Sequence, residues 1–331
     1  RRAFSGFMPP LSILKPLRGV DESLEMNLES FCNQDYRDYE IILTVLGADD
    51  PALAVARKVK ASHPLHDISI IVHDSDVTYN PKINNLLPAL QAARHELLLI
   101  SDSNVVVEKE YLRTTVRAME DPRVGLVHSL IKGGGEESFG STLENMHLNT
   151  FIAGSVAFLD RFFSLPCVVG KSMLLRRAAL SEIGGLEAYG GFLAEDYIIG
   201  RQMKRSGWKV FLCGHPVRNL NRKRSFEGFV ERHTRWAKLR RNISGIGYAA
   251  ELLLNPTFVC LPLLLVGGGT AGVLSFTAAV LLTKAMADAA MVRLVGGSLS
   301  PLASAVFSPV KDIAAGLLWF VPFVSRTVSW R

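Results

Sequence analysis

Several acidic groups stand directly after short apolar runs that read as buried strands. Lys15-Pro16-Leu17-Arg18-Gly19-Val20-Asp21 follows Leu11–Leu14, Asp49-Asp50-Pro51 follows Glu40–Val45, and Ser101-Asp102-Ser103-Asn104 follows Glu96–Ile100. A carboxylate exposed at a strand end can hold a divalent cation, Mg2+ or Mn2+, that bridges nucleotide phosphates, because hard cations take oxygen ligands. Taken singly, Asp21, Asp50 and Asp102 are more readily explained as helix caps. Asn80-Pro81-Lys82-Ile83-Asn84-Asn85 opens a helix with a lysine and two amides near its positive end, a place suited to an anion, with a solvated helix start as the plain alternative. Farther on, Gly184-Gly185-Leu186 and Gly190-Gly191 lead into Ala194-Glu195-Asp196-Tyr197. Glycines let a loop approach a ligand closely, and paired acids at the following helix start can supply a general base. Capping explains one of those acids but not the glycine-rich approach.

Arg232-His233-Thr234-Arg235-Trp236 lies on an expected helix from Phe226 to Arg241. Arg232 and Arg235 share a face with Trp236 beside them, which suits a clamp on a diphosphate with the indole packed on a sugar or acceptor. A basic face resting on anionic lipid is the competing reading. His233 reads as a solvated surface residue rather than a catalyst.

The elements that must position these groups alternate. Besides the runs above, Ile68–Val72 and Val124–Val127 read as strands, and Asp21–Cys32, Pro51–Ala61, Lys82–Arg94 and Lys109–Met119 read as helices. Such alternation predicts an α/β domain with an open, mostly parallel sheet, whose ligands sit at the carboxyl ends of the strands. The chain has 331 residues, 48% apolar and 21% charged, a mixture that points to two unlike parts. Cys32, Cys167, Cys213 and Cys260 are scattered with no C-x-x-C pair, which argues against a zinc cluster and for a reducing compartment.

From Leu252 to Thr283 no residue is charged, long enough for two membrane passes with Gly267-Gly268-Gly269 as the turn. Ile313–Val324 is short, and either spans by recruiting Ala303–Val310 or lies as a re-entrant or interfacial helix. Arg218–Arg241 carries nine Lys/Arg against Glu227 and Glu231, and a juxtamembrane basic excess places that side in the cytoplasm. The expected organisation is a cytoplasm-facing catalytic domain over 8–217, basic juxtamembrane helices over 218–251, and a membrane region over 252–325. The chain starts Arg1-Arg2-Ala3 without Met, which leaves room for an upstream segment such as a further membrane helix.

In this order the motifs resemble those of the ceramide glucosyltransferase family, membrane enzymes with an inverting GT-A fold. The resemblance rests on K-P-L-R-G-V-D at Lys15–Asp21, D-D-P at Asp49–Pro51, N-P-K-I-N-N-L at Asn80–Leu86, D-S at Asp102–Ser103, G-L-V-H at Gly125–His128, A-E-D-Y at Ala194–Tyr197 and R-x-x-R-W at Arg232–Trp236. N-P-K-I-N-N-L is the most specific of these. The resemblance implies a UDP-sugar donor with Asp50 near the uridine, Asp49 a near-equal choice, and Asp102 at a divalent metal and the diphosphate. It makes Asp196 the base and places Lys15, Lys82, Arg232, Arg235 and Trp236 among the donor-binding groups. Two departures stand out: Asp102-Ser103-Asn104 lacks the second acid of a D-x-D, and Lys171 adds a cation where eukaryotic members look uncharged.

The function implied is transfer of a hexose, glucose first, from a UDP-sugar to a lipid hydroxyl, ceramide first. A hopanoid N-acetylglucosaminyltransferase is the alternative within the same chemistry. A processive polysaccharide synthase shares R-x-x-R-W, but so few passes leave little room for a secretion channel. A non-catalytic membrane protein binding anionic lipid or nucleic acid leaves the acidic motifs unexplained, and scarce aromatics among the arginines argue further against nucleic acid. Phe151, Phe158, Phe162 and Phe163 are candidates to line the route of the acceptor's tail, with plain core as the more ordinary reading.

Overall fold

The structure, a computed structural model, describes residues 6–325 and Thr327. The expectation of a segment before Arg1 lies outside the described residues. The chain divides into two compact units, one of residues up to 131 with 155–220, the other of 132–154 with residues from 221 on. The segment 132–154, expected within the catalytic domain, thus groups with the basic and apolar helices.

In the first unit, β1 (Leu11–Leu17), β2 (Tyr39–Leu46), β3 (Asp67–His73), β4 (Leu97–Ser101), β5 (Val105–Val106), β6 (Val124–Gly134), β7 (Ser172–Arg176) and β8 (Lys209–Leu220) form one sheet in the order β3-β2-β1-β4-β7-β6-β8-β5. The half β3-β2-β1-β4 is parallel, as the alternation predicts. Its strands are mostly apolar, and β1, β2 and β4 are buried along nearly their whole length because helices cover both faces, while the edge strand β3 is partly exposed. Leu14, Ile42, Leu98 and Ile100 pack there with Ile83 and Leu86 of the helix Pro81–Ala92 and Ile199 and Met203 of the helix Glu195–Arg205. Each such side chain, fully buried, contributes about 1.5–3 kcal/mol. This core fixes the starts of both helices at the carboxyl edge of the sheet.

The other half differs from the expectation. β7 runs antiparallel to both β4 and β6, and β5 pairs antiparallel with β8. β7 is only five residues, and β8 interrupts its apolar pattern with Gly214 and Pro216, so neither is marked by periodicity. The antiparallel pairing has a direct consequence for the site. It sets Ser172 opposite Ser101, and Lys171 accepts the backbone N–H of Asp102 on its carbonyl at 3.1 Å. Lys171 therefore enters the edge where the acidic loops lie.

The second unit is helical. Phe139–His147 continues through a π-turn, Leu148–Ile152, and Phe226–Ile243 is followed by Gly245–Glu251, Pro256–Val266, Ala271–Val295, Pro301–Trp319 and Val321–Val324. Gly267–Gly269 forms the expected turn, with Gly268 and Gly269 at positive φ. The apolar segment before it is not a straight pass: residues 245–254 and 256–266 bend by 69°. Pro256–Val266, 11 residues, reaches about 16 Å, half of a ~30 Å hydrocarbon layer. By length and composition, Pro301–Val324 is able to cross a membrane.

Its charges are absorbed internally. Lys311 lies 2.9 Å from Asp288 and 2.8 Å from Asp312, and Lys284 lies 2.6 Å from Asp288. Thr257 donates to Asp312 and Ser308 to Asp288. Two lysines and two aspartates make a neutral, hydrogen-bonded cluster, which favours keeping ions among apolar helices. Leu265, Val266 and Leu294 are instead 84%, 87% and 81% exposed, an outward apolar surface of the kind a lipid phase covers.

Candidate active site

The carboxyl edge of the parallel strands gathers Lys82, Asp102, Lys171, Glu195 and Asp196. Asp102, just past β4, takes Lys82 Nζ on Oδ1 at 3.0 Å and Lys171 Nζ on Oδ2 at 2.9 Å. Lys171 Nζ also donates to Asn104 Oδ1 at 2.8 Å, so one ammonium spans both polar positions of Asp102-Ser103-Asn104. Lys82 Nζ reaches Glu195 Oε1 at 3.0 Å and the Gly170 carbonyl at 3.2 Å. These side chains keep a face toward solvent, 22% for Lys82 and Asp102 and 16% for Lys171.

The motif Asn80–Asn85 explains how Lys82 is aimed. Asn80 caps its helix, accepting the N–H of Lys82 and Ile83 on Oδ1, while Nδ2 donates to the Phe192 carbonyl at 2.9 Å and Glu195 Oε2 at 3.3 Å. Asn84 Oδ1 accepts from Thr78, and Asn85 donates to the Leu17 carbonyl and lies 2.8 Å from His73 Nε2. The amides expected to bind an anion are thus spent on the protein's own loops, and Lys82 alone is presented. Gly190 is required by this arrangement, since a Cβ there would sit 2.2 Å from Thr78 Cβ.

Asp196 begins the helix Glu195–Arg205 with Oδ1 accepting the N–H of Tyr197 and Oδ2 the N–H of Gly170. Burial and then the neighbouring Glu195 carboxylate push its pKa up to about 6, with Lys82 opposing. A carboxylate near neutrality is suited to taking a proton at physiological pH. Asp102 goes the other way: burial alone would raise it, but Lys171 first and Lys82 next hold it well below the usual carboxylate range. Burial likewise works against the charge on Lys82, and Asp102, Glu195 and Asp196 overcome it, raising its pKa.

Two expected donor-binding residues, Lys15 and Asp50, act less directly. Lys15 is fully buried, donating to the Asp102 carbonyl at 3.0 Å with its ammonium over the Phe31 ring, and burial pulls its pKa down to about 7. It supports the Asp102 loop from beneath and offers no surface to a ligand. Asp50 accepts the N–H of Gly19, which stands at positive φ, and that of Ala52, so its carboxylate ties the loops after β1 and β2 together. Asp49 is exposed beside it. Asp21 joins the same edge by accepting from Ser103.

A divalent metal at Asp102 does not fit this donor set. Each carboxylate oxygen of Asp102, Glu195 and Asp196 already accepts from an ammonium, amide or backbone N–H. Among the described residues no group of three His, Cys, Asp or Glu side chains is placed to hold a metal. The residues that sequence reasoning left out of the site are Lys171 and Glu195. Lys171 was visible only as an added cation, and Glu195 as the less favoured member of an acidic pair.

Arg232, Arg235 and Trp236 belong to the second unit. Arg232 forms an ion pair with buried Glu144 at 3.2 Å, and its guanidinium lies 5.0 Å from the Trp236 ring. His233, expected at the surface, is buried instead, 3.1 Å from Glu144 and packed on Phe229 and His147. Glu144 is thus the anchor of the motif, and Arg235 is left on the exposed face.

The profile of glycosyl transferase family 21 matches residues 1–331. Ceramide glucosyltransferase 3 of Caenorhabditis elegans is 32% identical over 256 residues, 77% of this chain and 55% of that protein. The ceramide glucosyltransferase of Komagataella phaffii is 26% identical over 308 residues, 76% of this chain and 60% of that protein. The chain spans little more than half the length of these curated relatives. The mannosyltransferase PcManGT from Pyrobaculum calidifontis, solved with GDP-Man and Mn2+, superposes with a TM-score of 0.57 at 15% identity, covering 97% of this chain and 88% of that one. At that identity the likeness establishes the fold, which is GT-A.

Proposed function

The chain belongs to glycosyl transferase family 21, and on that premise we propose that it moves a hexose from a UDP-sugar to a hydroxyl of a membrane lipid with inversion, glucose and ceramide being the pair. The observation that carries the reading is the pairing of Asp196, raised to about 6, with the Lys82–Asp102–Lys171 row on one sheet edge. An inverting transfer needs a base for the acceptor proton and positive charge for the leaving group. In the proposed step the acceptor oxygen attacks the anomeric carbon as Asp196 takes its proton. The bond from that carbon to the β-phosphate oxygen breaks, and the electron pair leaves with UDP. Arg235 and Trp236 are assigned to the donor on the motif alone.

The ceramide glucosyltransferases among the relatives support the acceptor, and the outward apolar surface of the second unit supports a membrane setting. We place the first unit on the cytoplasmic side because of the basic excess over Arg218–Arg241. The test is transfer by the purified full chain in vesicles containing either ceramide or a hopanoid, offered UDP-glucose and UDP-N-acetylglucosamine in turn, with the anomeric configuration of the product read by NMR. A β-linked glucosyl lipid is expected. Transfer of N-acetylglucosamine to a hopanoid and none to ceramide would replace this acceptor and sugar.

A further inference from the structure

We propose that Lys171, seconded by Lys82, takes the place of the divalent cation in this chain, so that donor binding and sugar transfer need no metal. The inference rests on the UDP-sugar reading above and specifies how the leaving group is held.

The argument is one of position. In a strand-end motif with polar side chains at alternate positions, a bound cation is held between those side chains. Here that place is filled by Lys171 Nζ, 2.9 Å from Asp102 Oδ2 and 2.8 Å from Asn104 Oδ1. The second acid that a divalent ion would want is an amide, which binds a hard dication less strongly than a carboxylate but accepts well from an ammonium. Asp102 Oδ1 is closed off by Lys82 at 3.0 Å. A Mg2+ or Mn2+ would have to displace two ammonium groups to gain one carboxylate.

The backbone makes the placement firm. The Lys171 carbonyl accepts from Asp102 N–H at 3.1 Å and from Ser101 Oγ at 3.3 Å, both at the end of β4. Lys171 is therefore locked to the loop it neutralises, and its side chain need not swing in from solvent. Lys171 and Lys82, 16% and 22% exposed, place two ammonium charges on one edge with Asp196. When the anomeric C–O bond breaks, the electron pair and negative charge go to the β-phosphate oxygen. An ammonium fixed beside it stabilises that charge without reorganising, as a metal would.

The test uses the purified full chain and UDP as probe, with binding followed by calorimetry and transfer followed in parallel, each in excess EDTA and again with Mn2+. Wild type is expected to bind UDP and to turn over within about twofold in the two conditions. Lys171→Ala in EDTA is expected to bind UDP about 10- to 100-fold more weakly, the value of one charge-assisted hydrogen bond. It also frees Asp102 and Asn104, so electron paramagnetic resonance should detect bound Mn2+ in the variant at concentrations where wild type binds none, and Mn2+ should restore part of its UDP affinity. Lys171→Arg, which keeps the charge, should retain metal-free binding. Wild-type binding that collapses in EDTA and returns with Mn2+ overturns this inference alone, and that arm stands even if Lys171→Ala fails to fold. A chain that binds no UDP in either condition overturns the donor reading together with it.

Discussion

Gly170 donates its backbone N–H to Asp196, and a Cβ at Gly170 would fall 2.7 Å from the carboxylate oxygen. The proposed base is therefore held by a residue that has to be glycine, on the same short stretch that delivers Lys171. Gly170→Ala should push Asp196 aside while leaving the sheet intact. Turnover is expected to drop ~10²-fold, the effect of roughly 1 Å of misplacement, with UDP binding by calorimetry little changed.

Asp196→Asn is expected to cut transfer by ~10²–10⁴-fold. The folded pKa is raised to about 6, so the folded state favours the protonated form and the associated stability is lost as pH rises through that value. Asparagine removes that loss and the repulsion from Glu195 but sets an amide NH2 against the N–H of Tyr197 or Gly170, so the variant's melting temperature should depend less on pH between about 4 and 7 than that of wild type. The wild-type rate should rise with pH through about 6 as the base ionises. A pH–rate profile flat across that range contradicts the assignment.

The positions of Lys82, Asp102 and Asp196 on one edge were legible because each follows directly from a strand end or a helix start, where local pattern and the carboxyl-edge rule coincide. Lys171 was not, because its place depends on β7 lying antiparallel to β4, a pairing between residues far apart in sequence, whereas Glu195 stands beside Asp196 at the same helix start and the pair alone does not say which acid meets Lys82. Lys15 shows the opposite error. Its position after an apolar run suggested a ligand contact, but it lies within β1, fully buried, and its partner is a backbone carbonyl. The parallel half of the sheet followed from mostly apolar strands, whereas the bend between residues 254 and 256 is marked only by Asn255-Pro256, a cap and a first-turn proline inside an uncharged run long enough to read as a straight pass.

Asn80→Ala removes a cap and leaves Glu195 Oε2 without its amide donor. Loss of the cap costs about 0.5–2 kcal/mol. Chemical denaturation should show a loss in that range, and UDP binding should weaken as well because Lys82 is no longer aimed. Unchanged stability would mean that the Asn80 side chain is not bonded as described.

In the second unit Glu144 is fully buried, and Arg232 first and His233 next, working against burial, hold its pKa down to about 2. The stability it supplies is present above the ordinary carboxylate value and is lost as pH falls through the depressed one. Glu144→Ala takes the carboxylate away from the largely buried Arg232 and from buried His233, and breaking a buried pair by removing one partner costs up to about 3–5 kcal/mol. Thermal unfolding checks this. A variant as stable as wild type would leave R-x-x-R-W without the anchor assigned to it.

Phe158, Phe162 and Phe163 are 51%, 70% and 58% exposed and pack on one another, so they are surface rather than core. Replacing all three with Ser should raise KM for a long-chain lipid in vesicles about 10-fold or more while leaving turnover on a short-chain, water-dispersed acceptor nearly unchanged. An exposed aromatic group gains free energy only where apolar surface covers it, about 25 cal/mol per Å². Equal losses on both acceptors would point to a folding role instead.

The central claim is that this chain builds a glycolipid using Asp196. The most direct measurement is mass spectrometry of the lipids of cells expressing the intact gene, beside cells expressing Asp196→Asn at matched protein levels. The account predicts a hexosylated ceramide in the first that falls at least ~10²-fold in the second. No new glycolipid from wild type, or equal amounts from both, would contradict it.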